Sequence, residues 1–437
     1  MKTLNSTTSI RKVAFASLTG TAIEWFDFFL YNAATALVFS DIFFQSDNDV
    51  AGMLKAYTAY AVGFLARPIG GIVCGHYGDR LGRKSMLVFA LLITGASTFL
   101  MGLIPSYQSI GVWAPFTLVV MRFAQGFGIG GEWGGAVLMA IEHAPSHRRG
   151  FYGSWPQMGV PLGLLCSNLV FFGIRSLSPG VREWAWRIPF LLSSLLVGFG
   201  LYIRLAVAES PMFAVIKPSR SKLPLLDLWR HHRRDVLVAM GAKVAENGVF
   251  YVYTFFVITF AKRIGVADTT ILISISLAAL AMIGAIPAYG HLSDWIGRRH
   301  IYLAGTVFTG LFAFPFFWLI QTRQTEWIIM AVFLGLVIGW AGMYAPQASF
   351  FSELFDTRLR YSGASLGAQV ATIFAGGLMQ VVAVDLMNRT GSYWPIALIV
   401  VAMTVVTFIS VLVASETVHK NIRPKPVEQL EHVGSRA

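Results

Sequence analysis

Long apolar segments separated by short polar connections run along the whole chain. Each apolar segment has about 20 residues or more, which is enough for a helix to cross a bilayer. No segment alternates apolar and polar residues over about ten positions, as the strands of a membrane β-barrel do. The pattern therefore predicts an all-α membrane protein with twelve transmembrane helices, at residues 14–42, 50–76, 84–105, 113–142, 150–174, 187–207, 235–261, 269–291, 300–320, 326–352, 361–387 and 393–415.

A polar interruption divides the predicted spans into two sets of six. It covers residues 209–234, carries several prolines and basic residues, and predicts a cytoplasmic linker. Within it, residues 223–229 are apolar enough to lie on the membrane surface as a short helix. The predicted domains are therefore an N-terminal six-helix bundle at 1–208, this linker, and a C-terminal six-helix bundle with a short cytoplasmic tail at 235–437.

A basic, glycine-rich pattern after the second span of each half nearly repeats itself, at residues 75–84 and 290–299. Two copies at matching places indicate a duplicated membrane architecture. We predict a short loop in each half, whose Asp side chain suits a helix N-terminus and whose basic residues suit acids or lipid phosphates. These contacts would latch the two bundles together on the cytoplasmic side, and a solvated turn that only sets topology is the alternative. The residues assigned to this gating loop are Gly75, Asp79, Arg80, Gly82, Arg83, Gly290, Asp294, Gly297 and Arg298.

Composition agrees with the membrane assignment. The chain is 55% hydrophobic and 13% charged, with a mean hydropathy of +0.63, whereas a soluble domain carries about 25% charged residues. The net charge of +12 is concentrated in the connections on the side of the two termini, which predicts that both termini are cytoplasmic. No soluble basic face is left for nucleic acid. Cys74 and Cys166 fall within apolar spans and form no secreted-type disulfide framework. Because no small-residue cleavage site follows a short apolar core at the N-terminus, we expect no removable signal peptide.

Ionisable residues deep within predicted spans are the strongest candidates for function. Each costs about 2.5–3.5 kcal/mol at a helix centre, so they should point inward and pair with one another. Two polar stripes occupy equivalent first spans of the two halves. The first contains Glu24, Asp27 and Tyr31, and the second contains Lys243, Glu246, Asn247 and Phe250. The full set of deep ionisable residues is Glu24, Asp27, Arg67, Arg122, Glu132, Lys243 and Glu246.

The charges in this set suggest a mechanism. Three cations and four carboxylates leave one excess negative charge, and buried carboxylates take up protons readily. We therefore expect an anion and a proton to enter together. Structural salt bridges that set helix register are the alternative. The predicted anion-binding residues are Arg67, Arg122 and Lys243, and the predicted proton-coupling residues are Glu24, Asp27, Glu132 and Glu246.

The fourth predicted span is rich in glycine between Arg122 and Glu132. Glycine lets neighbouring backbones approach closely or lets a helix bend. Because charges flank the glycines, we expect a moving helix that lines the solute path, with close packing alone as the alternative. Aromatic and amide side chains within spans are further substrate-binding candidates, with ordinary helix packing and helix–helix hydrogen bonding as the alternative. They are Tyr31, Trp133, Gln157, Asn247, Gln347 and Gln369.

Several stretches resemble known transporter signatures. Residues 75–84 and 290–299 resemble the loop signature of the major facilitator superfamily, and residues 122–126 (Arg-Phe-Ala-Gln-Gly) resemble its fourth-helix motif. Within that superfamily, five stretches are similar to the metabolite:proton symporter family. They are residues 24–31 (Glu-Trp-Phe-Asp-Phe-Phe-Leu-Tyr), 66–71, 130–135 (Gly-Gly-Glu-Trp-Gly-Gly), 346–355 and 360–365.

This resemblance covers nearly the whole chain and implies a bacterial inner-membrane protein that works by alternating access. The family includes proton-driven permeases for shikimate, α-ketoglutarate, citrate, proline and betaine. The chain lacks the long coiled-coil tail of some osmosensing proline and betaine carriers. Residues 156–163 also match the antiporter glycine-proline signature poorly.

The leading hypothesis is a secondary transporter that imports a small organic anion, a carboxylate, together with protons. Proton-coupled uptake of a zwitterion such as betaine or proline is the alternative, and a membrane receptor for a metabolite is a third reading. The sequence has no P-loop, no His-Glu-x-x-His metal motif and no nucleophile elbow, so we expect neither an enzyme nor a cofactor or metal. The expected partners are the solute, protons and the lipid bilayer, and the expected state is a monomer.

Overall fold

Twelve long helices dominate the computed structural model, which describes residues 9–35, 39–44, 49–175, 177, 184–206, 209, 224–357 and 359–420. Length and apolar composition explain why these segments are helical, since a helix satisfies its own backbone hydrogen bonds in lipid. The helices are α1 (Ile10–Ala34), α2 (Asp49–Leu81), α3 (Arg83–Leu103), α4 (Trp113–His143), α5 (Ser146–Ile174), α6 (Arg187–Leu205), α7 (Arg233–Arg263), α8 (Asp268–Ile296), α9 (Arg298–Gln321), α10 (Thr325–Leu354), α11 (Arg360–Thr390) and α12 (Trp394–Val413).

These helices confirm the predicted twelve-helix fold, with two differences. The first span was predicted to reach residue 42, but α1 ends at Ala34 and a separate short helix spans Ser40–Phe43. Within the described residues, eleven helices are long and apolar enough to cross a membrane by composition alone. The exception is α4, in which polar residues such as Arg122 and Glu132 and a run of glycines lower the mean hydropathy.

The helices form two six-helix bundles that meet along a central seam. In the N-terminal half, α1 packs on α5, and α4 packs on α2 and α3. In the C-terminal half, α7 packs on α11 and α12, and α9 packs on α10 and α12. The halves meet where α2 contacts α11 and where α5 contacts α8 and α10.

Part of the predicted linker lies outside the described residues, at 210–223, as does the tail after 420. A short helix, Pro224–His231, occupies the place of the predicted surface helix. The domain boundaries at 208 and 235 remain predictions.

Glycines on α4 permit a very close crossing with α2. A Cβ atom on Gly130 would overlap the backbone carbonyl of Arg67, and one on Gly126 would overlap that of Gly63. No side chain fits at either place, so these glycines serve close packing. In the same contact, a Cβ on Gly70 of α2 would overlap the carbonyl of Phe127.

The doubled motif is not the loop that the sequence predicted. Helix α2 continues through the motif to Leu81, and α8 continues to Ile296. Each connection to the next helix is a single glycine, Gly82 with φ of +120° and Gly297 with φ of +110°. Other residues rarely adopt these dihedral angles, so glycine is required at one position of each motif rather than throughout it.

Candidate functional site

A narrow central cavity lies on the seam between the two halves. Its walls come from α1, α2, α4 and α5 on one side and from α7, α10 and α11 on the other. The cavity measures about 30 Å³, which is room for about two water molecules. A metabolite can therefore enter it only when the halves move apart.

Seven of the predicted site residues line this cavity, and all four members of the α7 stripe are among the lining residues, as their common helical face predicts. The predicted residues in the lining are Glu24, Arg67, Trp133, Lys243, Glu246, Asn247 and Gln369. The structure places the other predicted residues elsewhere, and they are Asp27, Tyr31, Arg122, Glu132, Gln157 and Gln347.

Arg67 on α2 is a buried cation with a free edge. Its guanidinium carbon lies 4.3 Å from the ring centre of Phe28 and 4.4 Å from that of Phe64. Its Nη1 donates a long hydrogen bond of 3.5 Å to the hydroxyl of Tyr251. Its Nε and Nη2 are buried without a hydrogen-bond partner, and among the described residues no carboxylate lies within salt-bridge distance. These two N–H groups form one edge of the guanidinium, which matches a carboxylate.

Two acceptors in the same cavity also lack a donor. The Oε1 of Glu24 on α1 and the Oδ1 of Asn247 on α7 are buried without a hydrogen-bond partner. They come from the two different halves, so a single bound molecule can contact both. A buried acceptor that is left unpaired costs about 1–3 kcal/mol. A solute with hydrogen-bond donors would remove this cost.

Lys243 and Glu246 form a closed ion pair at the wall of the cavity. Their Nζ and Oε2 are 2.5 Å apart, one helical turn apart on α7. Gln347 accepts from Lys243 at 2.9 Å and donates to Glu246 at 3.3 Å. The indole of Trp340 donates to the other oxygen of Glu246 at 3.1 Å. This pair is neutral as a unit, and Gln347 is a structural partner behind the wall.

Asp27 and Arg122 belong to a polar network inside the N-terminal half rather than to the cavity. The hydroxyl of Ser193 on α6 lies 2.8 Å from both carboxylate oxygens of Asp27. Arg122 donates to Gln125 at 2.5 Å, and Gln125 donates to Thr98 at 2.9 Å. No described basic side chain forms a salt bridge with Asp27.

The ring of Tyr31 lies 4.1 Å from the Arg122 guanidinium, and the ring of Phe28 lies 4.6 Å from it. The Phe28 ring also lies 4.3 Å from the Arg67 guanidinium, so it contacts both cations. Tyr31 therefore packs against Arg122 and does not face the cavity, although the stripe on α1 predicted that it would.

Glu132 faces away from the cavity and pairs with Arg204 on α6, which sequence reasoning missed. Both side chains are buried, and Arg204 also donates to the backbone carbonyl of Leu87 at 2.5 Å. The guanidinium lies against Gly20 of α1, where a Cβ atom would overlap it. Trp133 lines the cavity instead, because adjacent residues of a helix point in directions about 100° apart.

Gln157 holds the two halves together beneath the cavity. Its Oε1 accepts from the indole of Trp133 at 2.9 Å, and its Nε2 donates to the backbone carbonyl of Tyr344 at 3.0 Å. Both ends of its amide are used by protein groups. Gln157 therefore contacts a solute only if these bonds break.

The first copy of the doubled motif contacts the N-terminus of α11 in the opposite half. Asp79 accepts from the backbone N–H of Ser362 at 3.0 Å and from its hydroxyl at 2.8 Å. Arg83 pairs with Glu142 at 2.9 Å, and Glu142 pairs with Arg360 of α11 at 3.1 Å. A carboxylate at a helix N-terminus is electrostatically favourable, so this contact joins the halves.

The second copy makes the equivalent contact with the N-terminus of α5. Asp294 accepts from the backbone N–H groups of Gly150 at 2.8 Å and Phe151 at 2.9 Å. Arg298 pairs with Asp294 at 2.7 Å and with Glu353 at 3.3 Å. We call the end of the molecule that carries both copies the latch end.

The remaining residues of the doubled motif lie either at the contact between the halves or on the outer surface. A Cβ on Gly75 would lie 2.9 Å from the Cα of Ser362, and one on Gly290 would lie 2.6 Å from the carbonyl oxygen of Gly150. Both glycines therefore allow the halves to touch. Arg80 points outward, with its Nη1 3.2 Å from the Nε2 of His76 in the preceding turn.

Four acids at helix ends complete the latch end, and sequence reasoning missed all of them. Glu142 and Glu353 end α4 and α10 and pair with the arginines of the motif. Glu209 accepts from the backbone N–H of Lys84 at 3.2 Å, and Glu416 accepts from that of Arg298 at 3.0 Å. The equivalent placement in both halves is a signal that alignment of the two halves would have revealed.

Aromatic contacts close the opposite side of the cavity. The ring of Phe29 on α1 lies 5.9 Å from the rings of Phe250 and Phe255 on α7. The ring of Phe64 on α2 lies 5.3 Å from that of Tyr251. The structure is thus closed at the latch end and on the aromatic side. Among the described residues no group of three His, Cys, Asp or Glu side chains is placed to hold a metal ion.

Comparison with known proteins identifies the relatives of this chain. The profile of the Major Facilitator Superfamily matches residues 17–372. An inner membrane metabolite transport protein of Escherichia coli is 37% identical over 425 residues, covering 95% of this chain and 96% of that protein. The shikimate transporter of Escherichia coli is 35% identical over 392 residues, covering 88% and 89%. The solved structure of a proton:xylose symporter shares the fold with a TM-score of 0.77 at 16% identity, covering 97% and 98%.

Proposed function

The chain belongs to the Major Facilitator Superfamily and is a multi-pass membrane transporter of metabolites, and we propose that it imports a small organic anion together with protons. Transport would proceed by alternating access, with the cavity on the seam opening first to one side and then to the other. The superfamily and the relatives support transport, and the residues of the cavity support the choice of an anion.

The observation that carries this proposal is the free edge of Arg67. A buried guanidinium with two unpartnered N–H groups in a closed cavity is costly unless a ligand completes it. A carboxylate accepts two parallel hydrogen bonds from this edge and cancels the charge. The other cation of the lining, Lys243, is already neutralised by Glu246, so Arg67 is the residue that we assign to the anion.

We assign the coupled proton to Glu24, with Asp27 as a second carrier one turn further along α1. Glu24 faces the same cavity as Arg67 and has no salt-bridge partner among the described residues. An ionised carboxylate buried without a cation is very unfavourable, and binding a proton removes that cost. When the solute anion occupies Arg67, its own negative charge further favours a proton on Glu24.

The closed state supports an alternating mechanism. The cavity of about 30 Å³ is too small for a metabolite, and contacts between the halves close both of its sides. Loss of the latch contacts would open one side, and loss of the aromatic contacts would open the other. The basic residues of the latch end support a cytoplasmic position for that end and for both termini.

Uptake of a zwitterion such as betaine or proline is the second candidate, because Glu24 places an unpaired acid in the same cavity as Arg67. Quaternary ammonium groups bind on free aromatic faces. In this cavity the ammonium of Lys243 already lies 5.6 Å from the ring centre of Trp133 and 5.4 Å from that of Tyr344. The protein's own cation thus occupies these faces, which favours the anion.

Transport by the purified protein in liposomes tests the proposal. We expect radiolabelled organic acids to accumulate when the outside is made more acidic than the inside, and Arg67→Gln to lower kcat/KM at least about 30-fold, since a broken buried charge pair costs about 2–5 kcal/mol. Arg389→Gln, at an exposed surface pair, is the matched control. Accumulation that ignores the proton gradient would contradict coupling, and transport of betaine or proline alone would select the second candidate.

A further inference from the structure

We propose that the coupled proton leaves Glu24 through the N-terminal half, by way of Thr21 and Glu132, and reaches the latch end through a second, smaller cavity. The solute leaves by a different route, along the seam between the halves. This inference rests on the proposed coupling of transport to protons and names the residues that carry the proton away. It gives a role to Glu132, which does not line the central cavity.

A second cavity lies inside the N-terminal half, between the central cavity and the latch end. It measures about 20 Å³, which is room for about one water molecule, and α1, α3, α4 and α6 form its walls. Ser17 and Arg204 contribute polar groups to the lining. Lys84, in the first turn of α3, also lines it and is partly exposed, so this cavity lies close to the surface of the latch end.

Three buried polar side chains form a stripe on α1 that joins the two cavities. Ser17, Thr21 and Glu24 are spaced i, i+4 and i+7, so they share one helical face. Ser17 lines the second cavity, whereas Thr21 and Glu24 line the central one. With a rise of about 1.5 Å per residue, they lie about 10, 16 and 21 Å from the start of α1 at the latch end.

Glu132 on α4 lies between the same two cavities. Ala136, one turn closer to the latch end, shares its helical face and lines the second cavity. The partner of Glu132, Arg204, lines that cavity too and lies against Gly20 of α1, which is next to Thr21 in the chain. The carboxylate of Glu132 is therefore placed between Thr21 and the second cavity.

Each group along this route presents an atom that has no hydrogen-bond partner. The Oε1 of Glu24, the hydroxyl of Thr21 and the Oε2 of Glu132 are all buried and unpaired. The hydroxyl of Thr21 lies beside the carboxylate of Glu132 without completing a hydrogen bond. Side chains three positions apart on a helix have Cβ atoms about 5–6 Å apart, so one water molecule in the central cavity can join Glu24 to Thr21.

The proton moves by exchange along these atoms. Glu24 gives its proton to a water molecule of the central cavity, and this water gives a proton to the oxygen of Thr21. Thr21 then gives its own hydroxyl proton to Oε2 of Glu132, because a hydroxyl both accepts and donates. Glu132 passes the proton to water in the second cavity, so every group ends as it began except Glu24, which is now ionised.

The surroundings of Glu132 suit a relay. Burial favours its neutral acid, whereas the guanidinium of Arg204 favours its carboxylate. Glu132 can therefore accept a proton and also release it. A salt bridge that only held α4 to α6 would need neither the second cavity nor the polar stripe on α1.

Two transport assays in proteoliposomes separate proton release from solute binding. Counterflow exchanges labelled for unlabelled solute without release of the proton, whereas net uptake driven by an inward proton gradient needs this release in every cycle. The probes are radiolabelled shikimate, α-ketoglutarate and glycine betaine, and the variants are compared with whichever of them the wild-type protein accumulates.

Thr21→Val keeps the shape of the side chain and removes its hydroxyl. We expect it to lower the rate of net uptake at least about tenfold while counterflow stays within about twofold of wild type, because only proton transfer uses the hydroxyl. Thr94→Val removes another buried, unpaired hydroxyl from the same half and is the matched control. This control should change neither rate.

A neutral double variant tests the carboxylate without leaving a buried charge. Glu132→Gln alone leaves Arg204 without its partner, so it is combined with Arg204→Met. We expect the double variant to keep counterflow and to lower net uptake at least about 100-fold, since a positioned acid or base speeds proton transfer about 100- to 10,000-fold.

The outcomes distinguish the two proposals. Net uptake by both variants at the wild-type rate would overturn this inference and leave proton-coupled transport intact. Equal losses of counterflow and net uptake would mean that Thr21 and Glu132 serve folding or solute binding, and would overturn it as well. Wild-type accumulation that ignores the proton gradient, or no accumulation of any probe, would overturn the proposed coupling and this inference together.

Discussion

The contact between Asp79 and the N-terminus of α11 makes a quantitative prediction about the latch. One oxygen of Asp79 accepts from the backbone N–H and from the hydroxyl of Ser362, at 3.0 and 2.8 Å, and the other oxygen has no hydrogen-bond partner. In Asp79→Asn the amide oxygen can keep both bonds while the NH2 group takes the unpaired place. The substitution therefore removes the negative charge with little change of shape.

The magnitude follows from the loss of charge assistance. Hydrogen bonds to a charged group contribute about 1.5–3 kcal/mol each and neutral ones about 0.5–1.5 kcal/mol. Two bonds that change from the first class to the second lose about 2 kcal/mol together. Each 1.4 kcal/mol is about tenfold, so the population that is open at the latch end should rise about 30-fold.

Cysteine accessibility measures this population. Ser365 is buried on α11, its hydroxyl has no hydrogen-bond partner, and it faces Gly134 of α4 across the seam. A Ser365→Cys reporter, with the buried Cys74 and the exposed Cys166 both replaced by Ser, reacts with maleimide only when the latch end opens. We expect Asp79→Asn to raise the labelling rate of the detergent-purified protein about 30-fold, because this rate follows the open population.

A surface substitution provides the control. Asp385→Asn removes the same charge from a solvent-exposed pair with Arg389, and surface pairs contribute about 0–1 kcal/mol. It should leave the labelling rate within about fivefold of the parent. Equal labelling of the Asp79→Asn protein and its parent would refute the latch.

Three further experiments test buried features of the fold. Glu246→Gln leaves Lys243 buried without its partner and should lower the free energy of unfolding by about 3–5 kcal/mol. Combining Glu246→Gln with Lys243→Met removes the unpaired charge as well. A thermal unfolding assay should show that this double variant recovers most of the lost stability. Arg204→Met should destabilise by a similar amount because Glu132 loses its only salt bridge among the described residues, and equal melting temperatures of variant and wild type would contradict the pair. Gly297→Ala places a side chain at φ of +110° and should cost about 1–3 kcal/mol, measured as a lower melting temperature.

The fold could be predicted from the sequence because the bilayer requires long apolar helices. Most predicted spans end within a few residues of the observed helices. The sequence did not show that the helices continue through the doubled motif. Its glycines suggested a loop, but only Gly82 and Gly297 have backbone dihedrals that require glycine, and the other glycines allow neighbouring helices to touch. The sequence shows glycine without showing which of these reasons applies.

The sequence predicted only part of the functional site, because it shows which residues are polar but not which way their side chains face. Depth in the membrane identified Glu24, Arg67 and the α7 stripe, which line the cavity. Depth does not decide which side of a helix a residue faces, so Glu132 was grouped with the cavity although it pairs with α6. Its partner Arg204 lies near the end of a span, where a charged residue does not by itself indicate a buried ion pair. Pairs of residues far apart in the chain can be identified only when the packing of the helices is known.

The most direct test of the account is the movement of protons with the solute. Proteoliposomes that trap a pH-sensitive dye are given an inward gradient of a transported organic acid, with no imposed pH difference. We predict that solute entry acidifies the lumen of wild-type vesicles, and that Glu24→Gln still exchanges solute across the membrane but acidifies the lumen less for each solute molecule that enters. Solute entry into wild-type vesicles without acidification, or equal acidification by the variant, would contradict a shared cavity for the anion and its proton.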